Sequence, residues 1–150
     1  KGDWSSDVCS SDLIAAFRLR ILAQERDGSA LIRLLEHEGR VVGVLSLSQI
    51  DPFNQRAELG YWIDRHLEGR GLCRRACAVL IAYAFLDLGL NRLTIAAAVE
   101  NRRSRALAER LGFALEGIRR ESEWLYDHYV DHELYGLLRS EFARQSRWQS

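Results

Sequence analysis

A mixed α/β domain built around one central sheet is the fold class this 150-residue sequence predicts, and three features carry the prediction. Assigned by hydrophobic period, the segments follow one another as β-β-β-α-β-α-β-β. Residues 40–50 (RVVGVLSLSQI) have the β-branched content and partial alternation of a half-buried strand. From Gly71, by contrast, Leu72, Ala76, Val79, Leu80 and Tyr83 recur on one helical face, as far as about Leu88. Between that helix and the strand predicted at 57–63 lies Glu68-Gly69-Arg70-Gly71-Leu72-Cys73. A glycine loop there leaves main-chain N–H groups unpaired at the positive end of a helix, which suits a phosphate or pyrophosphate. A short G-x-G is also an ordinary turn, so the loop needs the rest of the chain to give it meaning.

The elements follow in order. Residues 3–13 (DWSSDVCSSDL) have neither apolar periodicity nor a signal-peptide pattern, and they are similar to one reading frame of a common sequencing adapter. The chain starts at Lys1 and contains no Met. Residues 1–13 are therefore expected to be a non-native artefact, with 14–150 a single domain that lacks its genuine N-terminus, and Cys9 and Trp4 carry no functional weight. Residues 14–24 (IAAFRLRILAQ) have helical spacing and are expected to be the remnant of a helix. A turn at Arg26-Asp27-Gly28-Ser29 precedes two strands, 30–36 and 40–50, joined by the hairpin signal His37-Glu38-Gly39. A loop holding the sole proline, Pro52, leads to the strand at 57–63. Gly89 stops the long helix, 92–99 (RLTIAAAV) is apolar enough for a central strand, and 101–111 is a second helix ended by Gly112. Strands at 113–126 and 130–138 close the domain.

Composition narrows the function classes. The charges balance, 21 Lys and Arg against 21 Asp and Glu, which argues against a dedicated nucleic-acid binder. No apolar run approaches the ~18 residues of a membrane span. The three cysteines, Cys9, Cys73 and Cys77, follow no metal-ligand or disulfide pattern; buried thiols and a reducing, cytoplasmic compartment are expected. His128 and His132 flank Asp131 without further clustered ligands, so surface positions are expected and no metal site.

With the elements assigned, residues 40–142 resemble the GNAT acetyltransferase superfamily, and within it the RimJ/RimL branch of protein N-terminal acetyltransferases. The resemblance is carried by Gly60-Tyr61-Trp62-Ile63-Asp64, the Glu68–Leu72 loop, Tyr83-Ala84-Phe85, Leu88-Gly89-Leu90-Asn91-Arg92, Val99-Glu100-Asn101-Arg102-Arg103-Ser104, Glu109-Arg110-Leu111-Gly112-Phe113 and Leu115-Glu116-Gly117. It implies a mostly antiparallel sheet flanked by helices, acetyl-CoA as cofactor, and direct transfer to a primary amine in a ternary complex. The implied acceptor is a protein N-terminal amine, by resemblance ribosomal; a small amine such as a polyamine or aminoglycoside, or a CoA-binding module without catalysis, are the other readings. No direct nucleic-acid or membrane partner is implied, and a homodimer is allowed.

The same resemblance assigns site residues. Main-chain N–H groups of Gly69, Arg70, Gly71, Leu72, Cys73 and Arg74 would hold the CoA pyrophosphate, although Glu68 and Cys73 depart from the family's loop pattern. Glu68 puts a carboxylate near a dianion unless it points away, and Arg70, Arg74 and Arg75 offset it. Main-chain groups near Trp62 and Ile63 would pair with the pantetheine arm where two strands splay; Tyr61 or Trp62 packs the core instead. Asn101 would contact the pantetheine, or simply cap its helix, and Ser104 would lie near the thioester sulfur. Many relatives carry a tyrosine as general acid where this chain has Ala108. Because an ammonium cannot attack a thioester, a base is required, and Glu123 and Glu58 are the two candidates. Trp124 and Tyr126 either line an acceptor pocket or pack the sheet.

Overall fold

In the computed structural model, which describes residues 17–24 and 28–145, seven strands form one sheet in the order β1-β2-β3-β4-β5-β7-β6. β1 (Phe17–Gln24), β2 (Leu31–His37), β3 (Arg40–Asp51) and β4 (Arg56–Ile63) make an antiparallel meander. β5 (Arg92–Ala98) lies parallel to β4 and antiparallel to β7 (His128–Leu138), and β7 carries β6 (Ala114–Leu125) on its other side. A parallel pair needs a crossover, which α1 (Leu72–Leu86) supplies. α2 (Arg102–Arg110) joins β5 to β6, and the six-residue α3 (Arg139–Arg144) follows β7. No helix among the described residues is long and apolar enough to cross a membrane.

The first element corrects the sequence expectation: residues 17–24 of the segment read as a helix remnant are a strand. Phe17-Arg18-Leu19-Arg20-Ile21 alternates with period two, while Leu19, Leu22 and Ala23 keep helical spacing in the same stretch. Pairing with β2 decides between the two periods. The expectations for residues 1–16, for Arg26 and Asp27, and for Cys9 lie outside the described residues. α3 had no prediction. Its Glu141 side chain accepts the Leu138 N–H at 3.0 Å, and Phe142 packs on Phe85 with ring centroids 5.0 Å apart.

Apolar burial explains the layering. α1 turns Leu72, Ala76, Cys77, Leu80, Ile81, Ala84 and Phe85 inward, against Leu45, Leu47, Ala57, Leu59, Leu93, Ile95, Tyr135 and Leu137 of the sheet. α2 adds Ala108 to the same core. Side chains on a strand alternate between faces. Since Ala57 and Leu59 enter this core, Glu58 projects from the opposite face, as do Thr94, His132 and Leu134 by the same alternation. Each sheet face therefore has its own chemistry: α1 and α2 on one side, polar strand residues on the other.

Candidate active site

The sheet is open at its centre. β4 and β5 pair only at Arg56/Arg92, Ala57/Leu93 and Glu58/Thr94, although both strands continue for several residues. Their ladders to the outer neighbours show which main-chain groups face the gap. The Asp64 N–H donates to the Val42 carbonyl at 2.7 Å. By the alternation of antiparallel pairs, residues 58, 60 and 62 then bond to β3, leaving the N–H and C=O of Tyr61 and Ile63 toward β5. Likewise the Val99 N–H donates to the Asp131 carbonyl at 3.0 Å, which turns the main chain of Ala96 and Ala98 toward β4. The two edges form a slot lined with unpaired donors and acceptors, a built place for an extended, amide-bearing chain. Of the two residues expected there, Ile63 faces the slot through its main chain, whereas the Trp62 main chain serves β3 and its indole is exposed on the other sheet face.

The glycine loop stands at the wide end of this slot. Gly69 and Gly71 have positive φ, 79° and 74°, which glycine adopts without strain. Gly71 is the N-cap of α1 and offers no capping side chain. The first helical bond is from the Arg75 N–H to the Gly71 carbonyl at 3.1 Å, so the N–H groups of Leu72, Cys73 and Arg74 have no helical acceptor. No acidic residue occupies the first turn. Arg70, Arg74 and Arg75 form no ion pair among the described residues, and a Cβ added at Gly69 or Gly71 meets nothing within 4 Å. Glu68, the atypical residue of the loop, forms an ion pair with Arg103 in the first turn of α2. Its charge is thereby neutralised across the slot. The sequence carried no signal for this pairing, because it joins residues on different elements. Burial pushes the Cys77 thiol well up, and its hydrogen bond to Cys73 lowers the latter.

Ser104 sits on the helix-bearing side, held from three directions. Its N–H donates to the Asn101 side chain at 3.1 Å, so Asn101 does cap α2. The neighbouring Arg105 donates to the Glu133 carboxylate at 2.7 Å and to the Val99 carbonyl at 2.9 Å, and the buried Tyr135 hydroxyl donates to the same Glu133 oxygen at 2.5 Å. This network fastens the start of α2 to β7. Third, the Tyr61 hydroxyl lies 2.8 Å from Ser104 Oγ and donates to the Ser104 carbonyl at 3.0 Å. Burial, the largest influence on it, raises the Tyr61 phenol far above its ordinary value, so it stays neutral. Of the two aromatic residues in that motif, Tyr61 is thus the one that packs against the core.

Both candidate bases lie on the opposite face. Glu58 stands where β4 and β5 part, in a groove of about 490 Å³ that Asp51, Arg56, Arg92 and Arg119 also line. Arg56 is 3.5 Å from Asp51, and Arg92 pairs with Glu116, so Glu58 and Arg119 are what remain and the groove is close to neutral. Glu123 Oε2 lies 3.0 Å from His132 Nε2, an acceptor for that ring N–H. A bulge in β6 between Arg119 and Glu123 brings them together, with Glu121 at φ 47° and its N–H on the Asp131 carboxylate at 2.7 Å. His132 was expected at the surface; its side chain is instead 15% exposed, and it lies opposite Ala98 at the slot. His128 is exposed, 2.7 Å from Asp127. Trp124 packs edge-on against Tyr129 and Tyr126 is exposed at the hairpin tip. Among the described residues no three His, Cys, Asp or Glu side chains are grouped as a metal site requires.

A slotted sheet with a glycine loop and free helix N–H groups at one end and carboxylates on the far face is the architecture of an acyl-CoA-dependent acyltransferase. Residues 4–114 match the acetyltransferase (GNAT) domain, and the chain belongs to that family, whose cofactor is acetyl-CoA. It is 46% identical over 110 residues to YdaF of Bacillus subtilis (strain 168), provisionally named a ribosomal N-acetyltransferase, covering 72% of this chain and 59% of that one. It is 37% identical over 111 residues to the ribosomal-protein-serine acetyltransferase of Escherichia coli (strain K12), covering 74% and 62%. The E. coli spermidine N(1)-acetyltransferase is 26% identical over 106 residues, covering 71% and 54%. The chain thus spans about three fifths of the length of the first two relatives. Among solved structures, one provisionally named as an acetyltransferase superposes with a TM-score of 0.74 at 42% identity, covering 77% and 65%. The microcin C7 self-immunity acetyltransferase MccE, in complex with acetyl-CoA and AMP, gives 0.69 at 32%, covering 75% and 63%.

Proposed function

We propose that this protein transfers an acetyl group from acetyl-CoA to a protein N-terminal amine, by resemblance a ribosomal one, without a covalent enzyme intermediate. The observation that carries the proposal is the parting of β4 from β5 beyond Glu58 and Thr94, with the Gly69/Gly71 cradle at its wide end. The chain fits the cofactor: N–H groups of residues 69–74 with Arg70 and Arg74 would hold its pyrophosphate, and the main chain of Tyr61, Ile63, Ala96 and Ala98 its amide arm. Asn101 and Ser104 would border that arm. When bound, acetyl-CoA supplies an acyl group activated as a thioester. Glu123, steadied by His132, takes the proton that the acceptor ammonium must lose, and Glu58 is the rival for that role. Cys73 lies at the phosphate end and is not a nucleophile.

The near neutrality of the groove around Glu58 favours a peptide amine over a polyamine, whose several positive charges call for an acidic groove. Acetyl-CoA binding by calorimetry, then thiol release with a free-N-terminal peptide, the same peptide blocked at its N-terminus, and spermidine, tests this. Turnover confined to the free peptide is expected. Spermidine turnover exceeding it would transfer the assignment to small amines, and binding without release on any amine would indicate a non-catalytic module. Glu123→Gln should slow turnover with acetyl-CoA affinity kept; an unaltered pH–rate profile would reject Glu123 as base.

A further inference from the structure

We propose that Tyr61 is a positioning residue for Ser104, the two hydroxyls forming a proton switch that turns the serine from an acceptor into a donor toward the sulfur of bound CoA. The inference rests on the acetyl-CoA reading above. Tyr61 has one proton and two oxygens in reach, Ser104 Oγ at 2.8 Å and the Ser104 carbonyl at 3.0 Å. A carbonyl can only accept, so two arrangements exist. In the first, Tyr61 donates to the carbonyl and Ser104 donates back to the phenol, leaving both protons used and the serine an acceptor. In the second, Tyr61 donates to Ser104 Oγ, and the serine proton is free to point elsewhere.

The first arrangement satisfies every donor without a ligand and is the resting one. The second pays off only when an anion stands beside Ser104. The fold keeps the geometry tight enough for such an exchange. Asn101 holds the Ser104 N–H, Arg105 ties the next residue to Glu133 and Val99, and Tyr61 projects from the strand that borders the slot. As the acceptor nitrogen bonds to the acetyl carbon and the carbon–sulfur bond breaks, that bond's electron pair would stay on sulfur. Ser104 donates a hydrogen bond to that charge and keeps its own proton, so no phenolate forms. The proton released by the acceptor amine leaves from the opposite sheet face through the carboxylate there. The phenol arrives from β4, and Ala108, one turn beyond Ser104 on α2, is buried in the core and supplies no hydroxyl.

The test is the acidity of the CoA thiol bound to the protein, read from the ultraviolet absorbance of its thiolate as pH is raised. Ser104→Ala should raise the bound thiol's pKa by about one pH unit, the span of one hydrogen bond to a charged atom, and Tyr61→Phe, which leaves the serine its proton but removes the donor that strengthens it, by a measurable fraction of that. The double variant should match Ser104→Ala alone, since both act through one donor. A fluorotyrosine at position 61, a stronger donor of the same shape, should shift the bound thiol downward, which keeps the test available if Tyr61→Phe does not fold. Binding of CoA with an unshifted thiol in Tyr61→Phe or the fluorotyrosine protein would overturn the switch alone. Additive shifts in the double variant would do the same. Failure of the parent chain to bind CoA would overturn the acetyl-CoA reading and the switch with it.

Discussion

Replacing Gly71 separates the loop's backbone role from its electrostatic role, because the two predict opposite orders for Ala and Asp. Gly71 has φ 74° and ψ 8°, and a Cβ there meets nothing within 4 Å. The folding cost of Gly71→Ala is then the left-handed backbone alone, about 1–2 kcal/mol, or about 3–6 °C in melting temperature for a domain of this size. Asp tolerates this backbone better, and a carboxylate at a helix N-terminus gains about 0.3–1 kcal/mol from the dipole. Gly71→Asp should therefore melt at or above Gly71→Ala. Binding reverses the order. A carboxylate about 5 Å from a dianionic pyrophosphate is repelled by about 1.7 kcal/mol in a water-like dielectric and about 3 kcal/mol at half that value. Acetyl-CoA should bind Gly71→Asp about 15-fold to 200-fold more weakly than Gly71→Ala, and the difference should shrink as salt is added. Calorimetric titration of both variants beside their melting curves is the assay. Equal affinities for Ala and Asp would refute the assignment of the pyrophosphate to this loop.

Three further outcomes are expected. Glu133→Ala removes the carboxylate that Arg105 and the buried Tyr135 hydroxyl share, leaving the guanidinium its bond to the Val99 carbonyl. With Arg105 partly exposed, the loss should be about 2–3 kcal/mol, below the full cost of breaking a buried pair, and a drop in melting temperature under about 2 °C would count against the network. Arg92 lowers the Glu116 carboxyl below its ordinary 4.5. That group's stabilisation is present above pH 4.5 and is lost as pH falls through the lower folded value. The melting temperature should therefore decline more steeply with acid in the parent than in Glu116→Gln; identical acid limbs would contradict this. Cys73→Ser should leave turnover within about twofold, and a larger fall measured by thiol release would reopen the cysteine as a participant.

How much of this was legible in sequence depends on the range of the interaction. The helices α1 and α2 follow from apolar spacing and from the signals at Gly71 and Asn101, all local, and the observed bounds differ from the expected ones by a residue or two. β1 was misread because residues 14–24 fit two periods at once, and only pairing with Leu31–His37 selects one. α3 is too short to announce itself and is held by Phe142 on Phe85, a contact made across the fold. Glu123 was identified as a carboxylate on a strand, but its neighbour was not, since the β6 bulge sets which β7 residue it meets. Glu68 looked misplaced until Arg103 appeared opposite it.

The sequence by itself determined the family, the element order from β2 to β7 and the chemical types at the slot, because each rests on short-range periodicity and on motifs contiguous in the chain. Tertiary structure alone decided which main-chain edges are left unpaired, which charge neutralises which, and that the Tyr61 hydroxyl meets Ser104 across 43 positions of chain. Those outcomes depend on strand register and on the docking of α2 against the sheet, and both are fixed by the packing of residues far apart in sequence.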